Sequence, residues 1–247
     1  GDFPGIIRLL ENIGQRRGIG DLLAEGIKRA SLSIPGSDQY AMHIKGVELP
    51  VRDPRGKWDV WMLGYLTNTR GGDHLRTRSP VDNLLGEVRS SFEEEIAVSE
   101  NMVNDLDMPR ILKEEIFSKP PLKVDIPRMA KYAEDLITII NSTGLCIRPP
   151  VHRTLGANFY ARALAAVTGH PYTEQEVMKI ASNIWDLQHQ FNVSEGEKIT
   201  DYAFPDRFYE KSLPVQSGTK SPLPRDEINE VIRRYFAARD WEYAEGD

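Results

Sequence analysis

The chain has 247 residues, 40% of them hydrophobic and 28% charged, with a formal net charge of -6. That length accommodates one large domain or two smaller ones around a real core. The acidic balance argues against a nucleic-acid footprint, no apolar run approaches a membrane span, and a single cysteine excludes an intrachain disulfide framework. The lone cysteine also fits a reducing compartment, so a cytoplasmic location is expected.

Beginning at Gly1 without a methionine, the chain reads as a fragment or a processed product. Ile6 to Arg17 predicts a helix with Ile6, Ile7, Leu9, Leu10 and Ile13 on one face, stopped by Gly18 and Gly20. Asp21 then caps a second predicted helix through Ala30, with Leu22, Leu23 and Ile27 buried and Gly26 packed closely against another backbone. Residues 31–39 read as loop, and Tyr40 to Val47 as a short strand or extended segment. Pro50 to Gly56 is a rigid polar loop. Trp58 to Leu66 predicts a helix with a buried apolar side.

Thr67 to Arg78 changes character, gathering Arg70, Asp73, His74, Arg76 and Arg78 around Gly71-Gly72. Adjacent glycines let backbone amides approach an anion, and arginines offer planar forks for phosphate or carboxylate. A histidine there can exchange protons near neutral pH. Lys45 is either a solvated surface charge or part of a site.

Residues 79–121 have little signature. Phe92 to Val98 begins a helix or a solvated excursion, Leu106 to Phe117 alternates apolar and charged residues, and Pro120-Pro121 ends the stretch. It is either a helical excursion or a lid or partner surface. Pro127 to Ile140 predicts a helix with Met129, Tyr132, Ala133, Leu136 and Ile140 inside. Leu155 to Val167 predicts another, closed by Gly169 and Pro171. Thr173 and Glu176 form a capping box for a helix with a continuous buried stripe of Val177, Ile180, Ile184, Leu187 and Phe191. Residues 195–221 read as extended and turn-rich, and Arg225 to Arg239 as the last helix, with Trp241 anchoring the tail.

Cys146 ends Asn141-Ser-Thr-Gly-Leu-Cys146, after the apolar run Leu136 to Ile140. A lone cysteine is a small buried hydrophobe or a thiolate that binds metal or does chemistry. One thiolate cannot hold an iron–sulfur cluster, which normally takes four protein ligands. A metal reading therefore needs partners outside these residues.

Asn141-Ser-Thr-Gly-Leu-Cys146 resembles the D-x-x-G-L-C motif of the aldehyde ferredoxin oxidoreductases, a tungsten-pterin family. Gly18-Ile-Gly-Asp-Leu-Leu-Ala-Glu-Gly-Ile-Lys28 and Ala41-Met-His-Ile-Lys-Gly-Val-Glu-Leu-Pro50 are similar to two further family segments. Asp53-Pro-Arg-Gly56, Arg70-Gly-Gly-Asp-His-Leu-Arg76, Ile184-Trp185 with Phe191-Asn192, and Pro205-Asp-Arg-Phe208 follow in the family's order. The resemblance covers nearly the whole chain. It implies a mainly α fold of the family's C-terminal helical domains, the end of the second over 1–66 and the third over 67–247. It implies a tungsten bis-pterin and a 4Fe–4S cluster. Cys146 would be the fourth cluster ligand, with the other three upstream. His74 would be catalytic, and Asn141, Gly144, Leu145, Arg76 and Lys45 would bind cofactor. Asn141 departs from the family's usual aspartate, keeping one acceptor, adding donors and losing the charge. The implied reaction is aldehyde to carboxylic acid, with ferredoxin or a redox subunit as electron partner. The alternatives are the tungsten subunit of a dearomatising benzoyl-CoA reductase, acting on an aryl-CoA, and a non-catalytic helical scaffold. The missing N-terminal part of the same enzyme is an implied partner, nucleic acid is not, and oligomerisation is open. Cys146 is expected to face an interior cleft near His74.

Overall fold

The structure, a computed structural model, describes residues 1–50, 52–56, 59–81, 98–117, 122–147, 155–216 and 218–243. It is mainly α, as the periodicities predict. In chain order the helices are α1 Phe3–Gly14, α2 Ile19–Leu23, α3 Ile27–Ser33, α4 Val60–Thr67, α5 Glu100–Asp105, α6 Arg110–Ile116, α7 Ile126–Ser142, α8 Ala157–Thr168, α9 Glu174–Ser194, α10 Asp206–Glu210 and α11 Arg225–Arg239. Two antiparallel hairpins supply the described strands: β1 His43–Ile44 with β2 Val47–Glu48, and β3 Leu213–Val215 with β4 Gly218–Lys220.

The core is built on α7. Asp125 caps it by accepting from the Arg128 amide at 3.0 Å, and Pro127 occupies its first turn, where no intrahelical donor is lost. Every α7 residue from Ile126 to Ile140 is buried apart from the exposed Arg128 and the half-buried Lys131. A helix apolar on one face alone would not bury that far round. α4, α6, α9 and α11 all pack on it, together with a short 3-10 turn at Leu75–Thr77. The Thr173 and Glu176 capping box forms as predicted and starts α9. Trp241 does anchor the tail: its Nε1 donates to Asp186 Oδ1 at 3.1 Å, and its ring stacks on His189 at 3.5 Å.

Five features differ from the sequence reading. The helix expected from Asp21 to Ala30 is two helices, because Gly26 takes a φ of 83° and starts α3 as its N-cap. The close backbone approach falls instead at Gly20, where an added Cβ would stand 2.3 Å from the Asn12 carbonyl carbon. The apolar face of α1 is not buried: Phe3, Ile6, Ile7, Leu9 and Leu10 are all exposed. The stripe on α9 is not continuous in the core either. Val177, Met178, Ala181 and Trp185 are buried, whereas Ile180, Leu187 and Phe191 are exposed. Residues 195–221 include the helix α10 and the second hairpin as well as turns. The start of a helix at 92–97 and Trp58 lie outside the described residues. Among the described residues, no helix is long and apolar enough to cross a membrane.

Candidate functional site

The loop from Asn68 to Arg76 leaves α4 and folds on its own side chains. Asn68 is fully buried; its Nδ2 donates to the Asp73 carbonyl at 2.7 Å and its Oδ1 accepts from the Arg70 amide at 3.0 Å. Asp73 Oδ1 accepts from the Leu75 amide at 2.7 Å, while its other oxygen pairs with Arg70. Gly71 has a φ of 110°, and a Cβ there would sit 2.8 Å from the Ile44 carbonyl oxygen. A glycine is therefore required for the loop to lie against the first hairpin, where the Gly72 amide donates to that same carbonyl at 3.2 Å.

His74 is half-buried on the aromatic side chains of α4. Its ring centroid lies 4.4 Å from Trp61 and 5.4 Å from Tyr65, the latter edge-on. Arg52 and Arg78 flank the same Trp61 ring at 4.0 and 5.1 Å. Burial pushes the His74 pKa below the ordinary 6.5; the nearby Asp73 opposes the shift, and Arg78 and Arg52 add to it. The imidazole is thus held neutral at pH 7. Its Nδ1 is buried and has no hydrogen-bond partner among the described residues.

Arg76 turns toward α9. Its Nη1 donates to Thr69 Oγ1 at 2.9 Å and to Gln188 Oε1 at 2.7 Å, and its guanidinium lies 4.6 Å from the Trp185 ring centre. None of the described carboxylates forms an ion pair with it, and its Nε is buried without a partner. Together with Thr69, Arg70, Ile184, Leu187, Gln188, Phe191 and Asn192 it borders an open depression of ≈ 410 Å³. Apolar walls with a few polar groups are what an amphiphilic ligand or a partner surface requires.

Lys45 is not a solvated surface charge. Its Nζ meets Glu197 Oε1 at 3.1 Å and the Asn68 carbonyl at 3.4 Å, and stands 3.6 Å from the Tyr202 ring centre. Glu197 also accepts from Asn192 Nδ2 at 3.1 Å and from the Tyr202 hydroxyl. Asn192 Nδ2 reaches the Thr69 carbonyl at 2.7 Å. Lys45 therefore braces the start of the loop, and burial lowers its pKa against the pull of Glu197.

Asn141, Gly144, Leu145 and Cys146 form one exposed turn at the C-terminal end of α7. Gly144 takes a φ of 73°, its amide donates to the Asn141 carbonyl at 3.2 Å, and the Leu145 amide donates to the Ile140 carbonyl at 3.1 Å. This is a Schellman stop, which satisfies the last helical carbonyls and throws the chain out of the core. Cys146 accordingly is exposed rather than turned into an interior cleft. Among the described residues no group of three or more His, Cys, Asp and Glu could hold a metal ion. The turn fits a metal cluster as a donor of one thiolate, and it fits a heterocycle as a donor of one exposed amide at Asn141.

The structure brings His74, Arg76 and Lys45 together around one loop, and Asn141, Gly144, Leu145 and Cys146 on one turn. α7 ends in the turn, and its Glu134 bonds Thr67 and Thr77 at the two ends of the loop. Glu134, beneath the loop, and Asn141 are two helical turns apart, about 10 Å along the axis and on the same face. Sequence reasoning missed Glu134, Asp135, Tyr235 and Arg239, the buried network behind the loop. The only signal was a pair of adjacent carboxylates, Glu134-Asp135, directly before the apolar run Leu136 to Ile140.

The chain is mainly helical and presents an exposed cysteine and an exposed amide on one turn and a half-buried histidine on another loop. The family model described as "Aldehyde ferredoxin oxidoreductase, domains 2 & 3" matches residues 1–247, and the chain belongs to that family. The tungsten-containing aldehyde ferredoxin oxidoreductase of Pyrococcus furiosus is 31% identical over 234 residues, covering 94% of this chain and 33% of the relative. Its counterpart in Thermococcus kodakarensis is 29% identical over 233 residues, with coverages of 94% and 33%. An aliphatic sulfonate oxidoreductase, WOR-like subunit, from Pyrococcus furiosus is 35% identical over 99 residues, 37% of this chain and 16% of the relative. In fold, the chain is similar to the active site complex BamBC of benzoyl coenzyme A reductase in complex with 1,5-dienoyl-CoA. The TM-score is 0.63 at 19% identity, over 98% of this chain and 38% of that one. The chain thus spans about a third of the length of the tungsten-containing relatives it matches.

Proposed function

We propose that this chain is the C-terminal portion of a cytoplasmic tungsten bis-pterin and iron–sulfur oxidoreductase that oxidises aldehydes to carboxylic acids with ferredoxin as electron acceptor. The observation that carries the reading is the turn from Asn141 to Cys146. A helix buried over most of its length ends in a Schellman stop that exposes one side-chain amide and the chain's one cysteine together.

In this reading Cys146 gives one thiolate to a 4Fe–4S cluster whose other ligands come from the rest of the enzyme. Asn141 hydrogen-bonds a pterin ring, with Gly144 and Leu145 shaping the turn. Held beside these residues, a tungsten centre would supply two-electron oxidation and a cluster would supply a route for the electrons. This chain's own residues do the rest. His74 is neutral at pH 7, so its Nδ1 or Nε2 can accept a proton released near the reacting carbon. Arg76, with no carboxylate ion-pair partner among the described residues, offers positive charge to a phosphate or carboxylate. Lys45, locked on Glu197 and the Asn68 carbonyl, steadies the loop that carries both.

The test is made on the full-length enzyme. Tungsten and iron content are measured, and turnover is assayed with simple aldehydes and with aromatic CoA thioesters in the presence of a low-potential redox partner. Aldehyde oxidation coupled to ferredoxin reduction is expected. Turnover of the thioesters alone would replace this reading with a dearomatising benzoyl-CoA reductase, and a preparation without bound metal would leave a helical scaffold.

A further inference from the structure

Both ends of the loop that carries His74 and Arg76 are tied to a single buried carboxylate. Glu134 is fully buried in the middle of α7. Its Oε1 accepts from Thr67 Oγ1 at 2.6 Å and from Thr77 Oγ1 at 3.4 Å. Thr67 is the last residue of α4 and Thr77 the last of the 3-10 turn after His74, so one oxygen closes the loop at its base. The other oxygen, Oε2, accepts from Tyr235 Oη at 2.5 Å and from Arg239 Nη2 at 2.7 Å. Arg239 is itself fixed by Asp135 Oδ1 at 2.6 Å. All four lone-pair directions of Glu134 are thereby used, two for the loop and two for α11.

We infer that Glu134 is a positioning residue for the reaction: it clasps the loop from Asn68 to Arg76 and so sets where His74 and Arg76 stand relative to the turn that carries Asn141 and Cys146. The inference rests on the reading given under Proposed function. Two features distinguish it from generic core packing. An apolar side chain would fill the site without burying a charge, and replacing a buried ion pair by well-packed apolar groups is often neutral or stabilising. The charge is also not spent only on α11, since one whole oxygen faces the two threonines. The van der Waals fit is equally specific: a Cβ at Gly64, on α4, would stand 2.6 Å from the Thr77 Cβ, so α4 and the 3-10 turn touch directly over the carboxylate.

The experiment uses the full-length metal-loaded enzyme with Thr67→Val, Thr67→Ser and Glu134→Gln. Valine has nearly the shape of threonine and lacks only the donor, and serine restores the donor, so the first two variants fold even if the third does not. Hydrogen exchange over residues 68–76 and the separate values of kcat and KM are read together. The expectation for Thr67→Val is loss of about tenfold in amide protection of the loop and about 10- to 100-fold in kcat, with the cluster content unchanged and with recovery in Thr67→Ser. Unchanged loop protection in Thr67→Val and in Glu134→Gln overturns the clasp and leaves the proposed function standing. A loosened loop with unchanged kcat leaves the clasp as a structural tie only, overturns its positioning role in the reaction, and removes His74 and Arg76 from the chemistry.

Discussion

At Glu134, Asp135 and Arg239 three charged side chains are almost fully withdrawn from water. Arg239 bridges the two carboxylates, and that pairing keeps its guanidinium charged in spite of burial. Arg239→Ala leaves two buried acids without a counter-charge and should cost about 3–5 kcal/mol in urea unfolding of the chain. A loss below about 1 kcal/mol would show that water reaches the pair. Histidines give the second prediction at this scale. Burial lowers the pKa of His74, and of His43 and His189, below the ordinary 6.5. The folded state then binds fewer protons than the unfolded one, so their contribution is fully present above about pH 6.5 and is lost as pH falls through the folded values. Asp135, raised to about 6, titrates in the same window with the opposite sign, so the histidine contribution is read as a difference: between pH 7.5 and pH 5.5 the unfolding midpoint of His74→Gln should fall less, or rise more, than that of the unsubstituted chain, and an identical change would mean that His74 titrates alike in both states. The residues of the two loops were legible because glycines at positive φ and clustered charges mark the chain where it cannot be regular. Glu134 was not, because a Glu-Asp pair in a helix ordinarily faces water, and its burial is decided by Arg239 from a distant helix.

α1 and α2 show what local pattern can and cannot convey. Their apolar residues give the helices, yet the contact between them is made by Gly20 on the Asn12 backbone. Gly14, at the end of α1, has nothing within 4 Å of an added Cβ. Gly14→Ala should be neutral or slightly stabilising, and Gly20→Ala should cost about 1–3 kcal/mol from overpacking. Equal effects in thermal unfolding would contradict that packing. Periodicity likewise located α7 and α9, but of the stripe expected to be buried on α9 Val177 is buried, Ile184 is half-buried, and Ile180, Leu187 and Phe191 are exposed. Ile180, Leu187 and Phe191 repeat at helical spacing as faithfully as Val177, Ala181 and Trp185 do. Only tertiary contact with α7 and α8 chooses between them, and that information is not local.

Over the whole molecule, the fold class was readable from helical periodicity and the order of segments from the family motifs. The two exposed apolar faces, on α1 and on α9, were not, because a sequence pattern shows that a face is apolar and not what covers it. Each face presents several exposed large apolar side chains. The chain expressed alone should bind a dye that reports exposed apolar surface, and Leu10→Lys with Leu187→Lys should lower that binding at unchanged helicity. Dye binding equal to that of the doubly substituted chain would contradict the exposure.

The central claim is that the turn after α7 gives its thiolate to a cluster while the loop at His74 serves the chemistry. It is tested most directly by iron content and the reduced-cluster EPR signal of Cys146→Ala in the full-length enzyme, measured beside His74→Ala. Cys146 is exposed, so its replacement by alanine removes little packing. The account predicts that Cys146→Ala loses the 4Fe–4S signal with its unfolding temperature nearly unchanged, whereas His74→Ala keeps the signal and loses turnover. A normal 4Fe–4S signal in Cys146→Ala would contradict it.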